Sequence, residues 1–273
     1  AANIGVNVVS NSTKAYIDKS SQNSKISANG IDVNAVDLTN IINRGGTVAV
    51  NGSGSVAVGG SISADVVTKD VASYIDNTLI SNGGNIKIAS TVKNIFGAED
   101  PMPITISSLT SSITDQTYDV SQAVDLLKWN MSYDIAGSNT AAVSGTIISK
   151  TVSNDVNSYI GSNAVIEKAG NIDVTALNKT NASAVIGNVS VGGQAAVGAS
   201  IFSNVNASNV NAGIKSGAKI GTVSEVGDIN IDAQSIQDYH SINFVVGASS
   251  NAAVSGSVNT NIVVNETNAF IEK

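Results

Sequence analysis

The chain has 273 residues, of which 42% are hydrophobic, 4% aromatic and 13% charged, with a net charge of −7. Cysteine is absent, so disulfides and thiolate metal sites are excluded; one histidine (His240) and one arginine (Arg44) leave little for zinc, phosphate or nucleic-acid recognition. No apolar run approaches the roughly 20 residues of a membrane-spanning helix, and the apolar residues are too evenly spread for disorder.

Taken in chain order, the predicted elements repeat. Ala15-Tyr16-Ile17 opens the pattern, followed by Asn29-Gly30-Ile31-Asp32-Val33 and then Ala57-Val58-Gly59-Gly60-Ser61-Ile62. The same three anchors return as Ser73-Tyr74-Ile75, Gly84-Asn85-Ile86-Lys87-Ile88 and Ala142-Val143-Ser144-Gly145-Thr146-Ile147. A further round brings Ser158-Tyr159-Ile160, Gly170-Asn171-Ile172-Asp173-Val174 and Ala196-Val197-Gly198-Ala199-Ser200-Ile201. The last complete set is Ala212-Gly213-Ile214, Gly227-Asp228-Ile229-Asn230-Ile231 and Ala253-Val254-Ser255-Gly256-Ser257-Val258, before Ala269-Phe270-Ile271 closes the chain. The central residues of the first anchor are 58, 85, 54 and 57 apart. Three independent anchors share one period, and one unit is about 28 residues longer than the rest.

Within a unit the apolar residues alternate, as in Ile172-Asp173-Val174, Val189-Ser190-Val191 and Val48-Ala49-Val50, which is the strand period. Gly, Asn, Asp and Ser separate these segments and favour turns. A propeller lacks its Trp and Gly-His signatures here, and a sandwich lacks a bulky core. The expected fold is all-β: a right-handed parallel β-helix (β-solenoid), with Val, Ile and Ala stacked inside and Asn, Ser and Thr outside. At roughly 18–25 residues per coil, a unit would be two or three coils, and the stack a rod of roughly 50–60 Å. The chain begins at Ala1, without Met or a signal-peptide pattern, and starts and stops inside the repeat. It is expected to be a single solenoid fragment, 1–273, of a longer protein whose neighbouring repeats would be partners.

The longer unit places an insertion within about 96–137. This stretch holds both prolines, both methionines, the only tryptophan (Trp129) and six acids against the single base Lys128. Asp119 to Trp129 has helical spacing, with Val120, Ala123, Val124 and Leu127 on one face. Solenoid insertions often form the binding face, and rings beside carboxylates suit sugar recognition. The candidate ligand-binding residues are therefore Tyr118, Asp119, Asp125, Trp129 and Tyr133. The competing reading is a short helix packed on the rod with Trp129 buried.

The repeats built on Ala57–Ile62, Ser73–Ile75 and Gly84–Ile88 resemble those of leukotoxin-family filamentous adhesins, which are similar to autotransporter and haemagglutinin-type passengers. The resemblance implies a secreted or outer-membrane cell-surface protein of a Gram-negative bacterium. It also implies attachment to a host-cell or bacterial surface receptor, with glycans among the candidates. Some members imply toxicity to white blood cells, so a leukocyte-targeting cytotoxin segment is the alternative. A polysaccharide-active β-helix enzyme is a further alternative, disfavoured by scattered acids and one arginine. No catalytic residue, cofactor or metal is assigned. Asp228, Asp232 and Asp238 are weighed as calcium ligands, but no Gly-Gly-x-Gly-x-Asp repeat accompanies them. His240 is expected to be a surface or packing residue, and Tyr16, Tyr74, Tyr159 and Phe270 a structural row interrupted by Gly213.

Overall fold

The structure is a computed structural model that describes residues 1–18, 25–53, 55–97 and 130–273. The described residues form strands and turns, with no helix among them. In chain order the strands are β1 (Ala2–Asp18), β2 (Lys25–Ser27), β3 (Gly30–Ile41), β4 (Arg44–Asn51), β5 (Val56–Asp76), β6 (Leu79–Asn82), β7 (Asn85–Phe96) and β8 (Asn130–Ser138). They continue as β9 (Ala141–Ile160), β10 (Val165–Ile166), β11 (Ile172–Gly192), β12 (Ala195–Ile214), β13 (Lys219–Ile220), β14 (Ile229–Ser249) and β15 (Ala252–Ile271).

The repeats feed three parallel sheets, and each of the first two gives the third sheet two strands, β3 with β4 and β7 with β8. The first sheet has the order β1-β5-β9-β12-β15, and the second is the short β13-β10-β6-β2. In the third, β14 and β7 flank the first half of β11, while β8 replaces β7 along the second half. Parallel strands need long crossovers, and the repeat length provides them. The architecture is thus all-β and parallel, compatible with a solenoid.

Two expectations change. One repeat makes one circuit of the three sheets, not two or three coils, because the strands of the first and third sheets run to 21 residues. At ~3.3 Å per residue and ~4.8 Å between strands, the body is about 65 Å along its strands but only about 19 Å through five stacked strands. The two ends of the expected insertion window are strand. Phe96 ends β7, and 130–137 belong to β8. The two strands lie end to end beside β11, with Phe96 opposite Ala182 and Asn130 opposite Ala184. No helix is seen for the insertion: its retained ends are extended, and the helical spacing of 119–129 lies outside the described residues.

The anchors have physical causes. Ile75, Ile160 and Ile214 form one column of the first sheet, facing Ile86, Ile88, Ile172 and Val174 of the third inside the main apolar core. In the Gly-Asn-Ile anchor, the Asn85 Oδ1 accepts the Asn171 amide at 3.0 Å, and the Asn171 Oδ1 accepts the Asp228 amide at 3.1 Å. Each side chain therefore caps the turn of the next repeat. A Cβ at Gly170 or Gly227 would sit 2.3 Å from those capping oxygens, so the anchor keeps glycine there.

The interior does not stay apolar. Near the second sheet it holds the isoleucine columns; farther along, the same inward face of β5 carries Lys69, Asp65, Ser63 and Ser61, all buried. Lys69 pairs with Asp37, and Asp65 lies in register beside the buried Lys150. Asp134 accepts the hydroxyls of Thr47 at 2.6 Å, Thr146 at 2.8 Å and Ser61 at 3.0 Å. Val48, Val50 and Val191 face outward, opposite to the sequence expectation, while Ser190 is buried. An alternating pattern has two possible parities. The isoleucine core fixes which one a long strand adopts, and a period of two carries that choice to its far end.

Candidate functional site: a groove at a gap in the tyrosine row

Strand register stacks the first anchor on the outer side of the first sheet. Tyr16 and Tyr74 have ring centroids 5.2 Å apart with planes 6° from parallel, and Tyr74 and Tyr159 lie 5.0 Å apart at 1°. Those spacings follow the strand separation. Burial, then the neighbouring Tyr74 and the carboxylates of Asp76 and Asp18, raises the Tyr159 hydroxyl above its ordinary pKa. The Tyr74 hydroxyl is raised by burial and the same two acids.

Gly213 follows Tyr159 in the column and Phe270 follows Gly213. The missing side chain leaves one face of Tyr159 without a stacked ring. The Lys215 Nζ lies there, 3.6 Å from the ring centroid, a cation–π contact. The Phe270 ring leans back over Gly213, where an added Cβ would meet it at 2.6 Å.

Two residues earlier in each repeat runs an amide ladder. Asn211 Nδ2 donates to Asn157 Oδ1 at 3.0 Å, and Asn268 Nδ2 donates to Asn211 Oδ1 at 3.0 Å. Together these residues line a groove of about 620 Å³, with Lys14 and Asp70 at one end and Glu272 at the other. Lys14 and Asp70 form an exposed ion pair at 3.1 Å. The Ser158 hydroxyl donates to the Thr175 carbonyl at 2.6 Å, so it is not poised as a nucleophile. Aromatic edges, amides and two ammonium groups, one of them paired with Asp70, suit a hydroxyl-rich ligand: ring edges offer apolar contact and amides exchange hydrogen bonds.

Of the residues singled out from the sequence, Tyr118, Asp119, Asp125 and Trp129 lie outside the described residues. Tyr133 is in β8, 45% exposed, on the outer side of the third sheet opposite Gly46 and Gly187 in register. It is therefore not part of the groove on the first sheet. Sequence reasoning missed Lys215 and the Asn ladder, although Asn stands two positions before Tyr159, Gly213 and Phe270 alike. The His240 Nε2 lies 2.8 Å from Asp238 Oδ1 at the surface. Among the described residues no three His, Cys, Asp or Glu side chains gather as metal ligands. No family model, curated protein or solved structure matches the chain.

Proposed function

We propose that this chain is a non-catalytic segment of a bacterial surface or secreted adhesin, wound as a right-handed parallel β-solenoid, that holds a receptor-binding surface away from the cell. The supporting observation is the in-register stacking of like residues from successive repeats, Tyr16 on Tyr74 on Tyr159 and Asn157 on Asn211 on Asn268. Such a body grows by adding copies, each hydrogen-bonded only to its neighbours. Its length can change without disturbing a site, as a stalk requires. The groove at Gly213 is the part best suited to a surface glycan.

The test is attachment of the labelled full chain to epithelial cells, leukocytes and Gram-negative bacteria, with lysis scored in parallel. Saturable attachment without lysis supports the adhesin reading. Lysis of leukocytes replaces it with the cytotoxin alternative, and absence of attachment to any of the three overturns it.

A further inference from the structure

The outer side of the first sheet changes character along its strands. From the column containing Val56 to the column containing Thr68, no outward-facing side chain on any of the five strands carries a charge, an amide or a ring. The Val58, Val143, Val197 and Val254 side chains form one ridge, each between 38% and 63% exposed. A second ridge is Ile4, Ile62, Ile147, Ile201 and Val258, between 39% and 71% exposed. Between them runs a furrow of Ala2, Gly60, Gly145, Ala199 and Gly256.

We propose that this face is the interface of a symmetric dimer, covered by the same face of a second copy of the chain. With columns ~6.7 Å apart and strands ~4.8 Å apart, the face measures roughly 1,000 Å². Two such faces together reach the roughly 1,200–2,000 Å² that stable interfaces bury, whereas apolar patches on monomers are usually a few hundred Å². The ridges of one copy fit the glycine furrow of the other, as in sheet-on-sheet packing about 10 Å apart. The outward columns of the face carry no charged residue, so pairing two copies brings no like charges into contact across it. The support beneath is fixed: Ser144 bonds Ser190 at 2.6 Å and Thr146 bonds Asp134 at 2.8 Å, both buried. A lipid surface fits less well. The next column carries Asp70, Asp155 and Glu266, which anionic headgroups repel, and Ser149, Ser203 and Thr260 would lie in hydrocarbon.

Ile147 lies at the centre of the face, on the middle strand and in the middle column. A two-fold axis that covers the whole face brings it near its own mate. Sedimentation velocity of the full chain at micromolar concentration should give twice the 27.5 kDa chain mass. Ile147→Lys and Ile147→Glu should each sediment as the monomer with an unchanged far-ultraviolet spectrum, and an equimolar mixture should recover the dimer. A Val50→Lys control, on the outer side of the third sheet and 74% exposed, should dimerise as the parent does. A monomeric parent, a dimer that survives Ile147→Lys, or a mixture that stays monomeric overturns the proposal. So does a monomeric parent that floats with phosphatidylcholine–phosphatidylglycerol vesicles, which assigns the face to lipid.

Discussion

Among the described residues Lys150 is the most unusual charge. It is fully buried, with its Nζ donating to the Ser183 carbonyl at 3.3 Å and lying 5.2 Å from the Phe96 ring centroid. Burial pulls its pKa down from 10.5 to about 7, with the charge of Asp65 opposing the shift. The unfolded chain therefore keeps this proton until about pH 10.5, whereas the folded chain releases it near pH 7. Between those values unfolding takes up a proton, so stability rises with pH through that window. At pH 6 the full deficit of about 5 kcal/mol is present, from about 1.4 kcal/mol per pKa unit. Urea unfolding of the parent at pH 6, 7, 8 and 9 should show stability increasing by about 2 kcal/mol or more between pH 7 and pH 9. Lys150→Met keeps the length of the side chain and removes the charge. Asp65 keeps its two amide donors, from Asn7 and Asn43 at 2.9 Å each. The variant should be more stable at pH 6, by up to about 5 kcal/mol, with the gain shrinking as pH rises. Lys69 is also lowered by burial against the pull of Asp37, so both proteins share its slope and their difference isolates Lys150. A pH-independent difference, or a variant less stable than the parent at pH 6, refutes the reasoning.

Other substitutions test the columns. Tyr74 stacks on two rings and Tyr16 on one, so Tyr74→Ala should cost about twice as much stacking energy as Tyr16→Ala, each contact being worth ~0.5–1.5 kcal/mol, measured by urea unfolding. Gly84 has φ of +54°, and a Cβ there would lie 2.0 Å from the Asn29 carbonyl oxygen; Gly84→Ala should lower stability by more than about 3 kcal/mol or prevent folding, read by thermal melting. Lys69→Ala leaves Asp37 buried without its cation and should cost about 3–5 kcal/mol, whereas Lys69→Met with Asp37→Leu should recover most of that loss in the same assay.

The repeat made much of the fold legible. Anchors that recur at one period must stack, and the alternation of Ile172, Val174 and Ala176 is that of a strand whose one face is buried. Parity was not legible, because Val48-Ala49-Val50 reads identically whether the valines point in or out. The isoleucine core near the second sheet decides it, some 20 residues along the circuit from the residues affected. Nor was the path of the repeat: a 54-residue period divides into short coils or runs once through three sheets with equal ease, and the long strands decide it. The groove was half legible. Gly213 stood out as the gap in the tyrosine row, but the ammonium of Lys215 filling it depends on a side chain folding back over its neighbour's ring.

That gap also shows how a column accommodates a large residue. Phe270 leans over Gly213 in the first sheet, and Phe244 leans over Gly187 in the third, where an added Cβ would meet its ring at 2.1 Å. In both cases the glycine lies one repeat before the ring, so the ring has somewhere to go only because its predecessor has no side chain. Size at one position and its absence at the preceding one should therefore be energetically coupled. Gly213→Ala alone pushes a Cβ into the ring and should cost about 1–3 kcal/mol, as overpacking does. Phe270→Ala alone exposes the furrow and loses the ring's burial. Combined, the alanine at 213 no longer meets the ring, and in a strand it should be neutral or stabilising by about 0.5–1 kcal/mol relative to glycine. A double-mutant cycle in urea should then return a coupling of at least about 1 kcal/mol, favouring the pair over the sum of the single changes. Additive effects would mean that the Phe270 ring does not depend on Gly213 for its place, and that the groove is shaped by Lys215 alone.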